Sequence, residues 1–141
     1  MRVHTQKGMK DNYMIFAMRA ADEQRAHGRV SIERLLSGPG LQEQHAVLAQ
    51  IEGVAPPQAL SSEEVVARAC TGADRSCVAA VELSCAVFGS VCGDAALTLG
   101  ARGGVYLAGG LMQGVERFLT GGAFRARFEA KGRLSGLVES V

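Results

Sequence analysis

Residues 105–112 read VYLAGGLM, and the fold turns on how this run is taken. Val105, Tyr106, Leu107 and Ala108 favour a buried strand, and an apolar, helix-like run follows directly after two glycines. A strand that leaves through Gly109-Gly110 into a helix presents backbone N–H groups with no side chain in the way. Such a terminus attracts an anion or the edge of a nucleotide. The same dipeptide also serves as an ordinary tight strand-to-helix turn. No GxxxxGKS/T or GxGxxG fingerprint accompanies it, so P-loop and dinucleotide-binding readings have no support. A strand this short also needs neighbours, and the chain supplies few.

Working outward, residues 74–99 form a long pattern of Ala, Gly, Ser and Cys that reads as a central buried helix, although Gly89 and Gly93 each weaken it by about 1 kcal/mol relative to alanine. Cys77, Cys85 and Cys92 fall near one face of it, where cysteine behaves as a small apolar residue. With Cys70 they form no CxxC pair, and no histidine stands at zinc-ligand spacing, so a core role is expected and no metal site. Ser61 and Glu64 stand in capping-box spacing ahead of a helix that closes at Gly72. Pro56-Pro57 marks a linker. Ser31 is placed to cap a short helix with Glu33 in its first turn, the Ser37-Gly38-Pro39-Gly40 loop ends it, and a second helix runs over about 39–51. Beyond the glycines, helices are expected over 111–119 and 124–132, separated by Gly121-Gly122. Residues 1–28 differ in texture, with an unanchored first dozen and a helix closing at Gly28.

The chain has 141 residues, enough for one domain with a substantial core. Hydrophobic residues at 48% and charged residues at 21% suit a soluble globular protein, and no apolar run is read as reaching the roughly 18 residues of a membrane span. A net charge of +1 lacks the basic footprint of a nucleic-acid binder. The N-terminus has no clean signal-peptide core, which makes a cytoplasmic location the expectation.

Few side chains invite a catalytic reading. Glu33 either compensates a helix dipole or aims a carboxylate into a cleft to accept ligand hydroxyls. His4, His27 and His45 are too scattered to pair with any carboxylate identifiable from sequence. Arg125, Arg127, Lys131 and Arg133 read as a solvated helix face.

Three stretches together carry more. HGRVSIERLLSGPGL at 27–41, LTLGARGGVYLAGGL at 97–111 and FRARFEAKGRLSG at 124–136 resemble, in wording and order, the C-terminal half of the bacterial glucokinase family. The resemblance implies an α/β fold class, here a helix-rich part of an actin- and hexokinase-like lobe with an incomplete sheet. By it, residues 29–141 are a partial large lobe following an atypical segment, 1–28. It further implies ATP-dependent phosphorylation of glucose, with ATP and Mg2+ as cofactors, no nucleic-acid or membrane partner and a possible homodimer. Carried over, Gly109 and Gly110 match the turn against which the nucleotide packs. Glu33 matches the glutamate that hydrogen-bonds the sugar near its anomeric carbon, and Ser37, Gly38 and Gly40 match a loop beside the cleft.

The departures are equally specific. The family's DxGGT phosphate loop, the Asn-Asp pair that supplies the base, and a Glu-x-x-His sugar motif upstream of Val30 have no counterpart. The chain is therefore expected to carry no catalytic base and to be inactive alone. The alternatives are a non-catalytic helical interaction or regulatory module derived from the lobe, or another sugar kinase of the superfamily.

Overall fold

The computed structural model describes residues 28–29, 31–51, 53, 59–110, 114–120 and 122–141. In chain order these form α1 (Ile32–Leu35), α2 (Gly38–Ile51), α3 (Ser62–Thr71), α4 (Arg75–Leu99), α5 (Glu116–Leu119), α6 (Ala123–Glu129), a 3-10 turn (Gly132–Leu134) and α7 (Ser135–Val138). The helix expected before Gly28 and most of the proline linker lie outside the described residues.

Helix α4 is the axis around which α2, α3 and α6 pack. Its start is fixed by Asp74, whose Oδ1 accepts from the amides of Ser76 at 3.0 Å and Cys77 at 3.2 Å. Gly100, in the left-handed conformation, closes it. Cys77, Ala80, Val81, Leu83, Cys85, Cys92 and Ala96 are buried along its length, and all four cysteines are free, so the stripe is core. The reading that no apolar run reaches membrane length needs correction, because α4 is long and apolar enough to cross a bilayer by composition alone. Its apolarity answers instead to the helices packed on several sides of it.

Gly89 and Gly93 also read differently in place. A Cβ on Gly89 would lie 2.8 Å from the Phe124 carbonyl carbon and closer still to its oxygen, and one on Gly93 would meet Phe128 O and the Lys131 side chain. What local propensity counts as a weakness is the surface that lets the α6 backbone rest on α4. Phe88 and Phe124 pack with ring centroids 5.6 Å apart beside this contact, and Phe124 stacks on Phe128 at 6.1 Å.

The C-terminal basic cluster is correspondingly not a uniformly solvated face. Lys131 Nζ, with a side chain only 8% exposed, donates to Ser90 O and Asp94 Oδ1, each at 2.8 Å, and ties the end of α6 back to α4. Arg125 donates to Glu129 Oε1 at 2.5 Å, Val141 O at 2.9 Å and Glu139 O at 2.8 Å, which holds the C-terminal turn against α6.

Helix α3 follows the expected grammar. Glu64 N–H donates to Ser61 Oγ at 3.2 Å while Ser61 N–H donates to Glu64 Oε2 at 2.8 Å, and Gly72 ends the helix at φ 71°. Val65 and Ala69 then face the core, fully buried.

The expected strand is the main correction. Among the described residues there is no strand, and residues 105–108 run as irregular chain with Tyr106 94% exposed. A strand exists only through its hydrogen-bonded neighbours, and none lies beside this segment among the described residues. The incomplete sheet of the α/β expectation is thus absent here, and the described part is helical. Of the helix expected over 111–119, the described part begins at Glu116, with 111–113 outside the described residues.

Candidate functional site

The loop between α1 and α2 is built from short-range bonds. Ser37 Oγ donates to Arg34 O at 2.8 Å and accepts from Gly40 N at 3.2 Å, which ends one helix and caps the next. Gly40 sits so close to α1 that a Cβ would lie 2.6 Å from Leu35 O. Behind the loop, the buried Gln44 donates from Nε2 to Leu35 O at 2.8 Å and accepts from Ser84 Oγ at 2.7 Å. That amide fixes α1, α2 and α4 relative to one another, and nothing in a local apolar pattern would single it out.

On the other side, Arg117 holds α5 against the C-terminal end of α3, donating to Ala69 O at 2.6 Å and to Cys70 O, while Cys70 Sγ donates to Gly114 O at 3.0 Å. These bonds set Gly114 and α5 beside α3. Gly109 has φ 139°, a backbone conformation open to glycine and strained for other residues, so the turn requires the residue found there.

Between these supports lie two cavities. The smaller, about 290 Å³, is mainly apolar and is lined by Ser37, Gly38, Leu41, Phe88, Gly109 and Gly110 among others. The larger, about 550 Å³, runs from Gly38 and Gly110 to Ser62, Glu63, Ala67 and Gly114. Gly38 and Gly110 therefore line both. Glu63 supplies the carboxylate of the larger cavity. Its own backbone amide and the hydroxyls of Ser61 and Ser62 hold its pKa below the ordinary carboxylate value.

Of the residues singled out by sequence, Gly38, Gly109 and Gly110 come together at these cavities and Glu33 does not. Glu33 is exposed in the first turn of α1 and lines neither. Ser31 has the extended conformation of a cap but its side chain makes no capping bond, a correction to its expected role. Sequence reasoning does not single out Ser62 and Glu63, because they lie between Ser61 and Glu64 of the capping box and carry no spacing signal of their own.

This helical framework is shared by a solved structure of the hexokinase-like fold. The crystal structure of glucokinase from an Antarctic psychrotroph aligns with a TM-score of 0.72 at 31% identity, over 84% of this chain and 36% of that one. The glucokinase family model matches residues 4–141, and the chain belongs to the glucokinase family. Similar relatives are the glucokinases of Caulobacter sp. (strain K31), 48% identical over 114 residues, and of Caulobacter vibrioides, 45% identical over 131 residues. Those alignments cover 81% and 93% of this chain but only 34% and 39% of the relatives' length.

Proposed function

We propose that the chain provides the adenosine-side half of a glucokinase cleft, in a protein that transfers the γ-phosphoryl group of ATP to the 6-hydroxyl of glucose. The observation that carries this reading is the meeting of Gly38 with Gly109 and Gly110 at the smaller cavity, with Gly38 and Gly110 also lining the larger. In this reading the nucleotide enters as MgATP. The glycine turn lets its adenosine approach the backbone, and the ionised Glu63 with Ser62 accepts hydrogen bonds from the ribose hydroxyls. A carboxylate at that end repels phosphates, so the triphosphate and its Mg2+ point away from Glu63 toward the cleft mouth. Glu33 is assigned to sugar hydroxyls at the exposed start of α1, on its match to the family motif.

What these residues do is bind and orient. Phosphoryl transfer depends on positioning and charge stabilisation, and the matched motifs include neither a phosphate loop nor a base. Loss of a base alone costs about 10²- to 10⁴-fold. The chain by itself is therefore assigned binding without turnover. A coupled assay of ADP release with glucose and MgATP tests this: no glucose-dependent release is expected, and robust release by the purified chain overturns it.

A second reading has its own observation. Leu99 is 81% exposed and Tyr106 94%, an uncovered apolar surface suited to association with another polypeptide, including a second copy of this chain. Sedimentation at rising concentration separates the two, since a monomer throughout removes the self-association reading.

A further inference from the structure

Helix packing brings together three side chains that the sequence keeps apart. His45 of α2, Asp74 at the cap of α4 and Cys77 in its first turn place one donor atom each within 4.8 Å of one another. His45 is only 4% exposed, so the packing of α2 on α4 delivers a buried ring nitrogen to two further donor atoms. The carboxylate beside His45, which sequence spacing could not identify, is Asp74.

We infer that His45, Asp74 and Cys77 form a binding site for a borderline-soft divalent cation of the zinc class. The donor set is one imidazole nitrogen, one carboxylate oxygen and one thiolate, the mixture that zinc and cobalt accept in tetrahedral geometry with a fourth position left to water. The cap of α4 uses Oδ1 of Asp74 for both amides, and the carboxylate also accepts from the Cys77 thiol, a bond that coordination would replace. Cys77 is fully buried, which removes it from nucleophilic chemistry on any substrate and leaves coordination as a use for its sulfur. The neighbouring charge is Arg68, exposed on α3, which favours the thiolate. Coordination by a thiolate displaces the thiol proton, so affinity rises with pH. The bound cation would join α2 to the start of α4, on the side of the helix axis remote from α6, and act as a structural pin.

Cobalt titration of the reduced, chelator-treated chain tests this directly. One Co2+ per chain is expected, with a thiolate-to-cobalt charge-transfer absorption that Zn2+ bleaches and with a Tm raised by Zn2+. Cys77→Ser should lose the absorption and Cys92→Ser should keep it. Asp74→Asn, which retains an oxygen for the helix cap, should weaken binding about 10-fold or more. A chain that is folded by its dispersed amide spectrum but gives no charge-transfer band overturns the site, whatever the variants do. So does a band that survives in Cys77→Ser.

Discussion

The contact between α4 and α6 and the run from residue 101 to 110 are neighbours in sequence and opposites in packing. In the first, glycines at 89 and 93 are filled against backbone, Phe124 and Phe128 are buried, and Lys131 closes the seam with two bonds. In the second, Tyr106 stands in the open, and a Cβ added at Gly103, Gly104, Gly109 or Gly110 would meet nothing within 4 Å. The helical framework satisfies itself, while the segment that carries the candidate nucleotide turn has one side covered and the other bare. Glycine is thus used for two physical purposes in one chain: close approach in the framework, open backbone at the site.

Substitutions can break that contrast. Gly89→Ala should cost about 3 kcal/mol in urea unfolding, because its methyl has only the Phe124 carbonyl to push against and overpacked backbone contacts relax poorly. A loss below 1 kcal/mol would mean that α6 is not seated on α4 as described. Lys131→Met should cost about 2 kcal/mol by removing the sheltered charged bond to Ser90 O, an oxygen that keeps its helical amide donor, with little contributed by the ion pair to the exposed Asp94. Urea unfolding of the variant measures it.

The framework should also be the alkali-sensitive part. Burial, and then the nearby Glu82, push the Cys85 thiol up to about 11, and burial raises Cys92. Above the ordinary value near 9.0 the unfolded chain loses these protons while the folded chain keeps them. Stability is therefore complete below that value and falls as pH rises toward the folded one, by about 1.4 kcal/mol per pH unit for each thiol. Urea midpoints from pH 8 to 11 should decline, and Cys85→Ala should flatten the slope at the expense of overall stability.

Smaller effects sharpen the comparison from the other end. Ser61→Ala removes the hydroxyl half of the capping box and should cost about 1 kcal/mol by thermal melting. Gly110→Ala, in open space and without a positive φ, should change stability by no more than about 0.5 kcal/mol. A large loss there would show that the turn is packed after all.

How far the sequence alone reached follows the same division. The capping box of α3, the span of α4 and the cysteine stripe were legible because each is a local pattern whose physical cause lies within a few turns of helix. The small residues of α4 suggest close approach of a neighbour, but which neighbour, the α6 backbone more than thirty residues away, is not legible in the sequence. Lys131 and Arg125 read as solvated charge because the carbonyls of Ser90, Glu139 and Val141 that they bind, besides the carboxylates of Asp94 and Glu129, leave no sequence trace. The run at 105–108 was read as strand from its apolarity, yet strand formation depends on neighbours that this segment lacks among the described residues. At the site, Gly38, Gly109 and Gly110 were legible from motif wording. The smaller cavity where they meet, the larger one that Gly38 and Gly110 also line, the role of Gln44 behind them, and the position of Glu33 outside both required the tertiary arrangement.

The central claim is that the open glycine turn is a preformed nucleotide half-site on a framework that folds without its other half. A MgATP titration followed by backbone amide NMR tests it most directly. Saturable shifts centred on Gly38, Gly109 and Gly110, with the α4 and α6 amides unmoved, are the predicted result. A well-dispersed spectrum that does not change at millimolar nucleotide would contradict it.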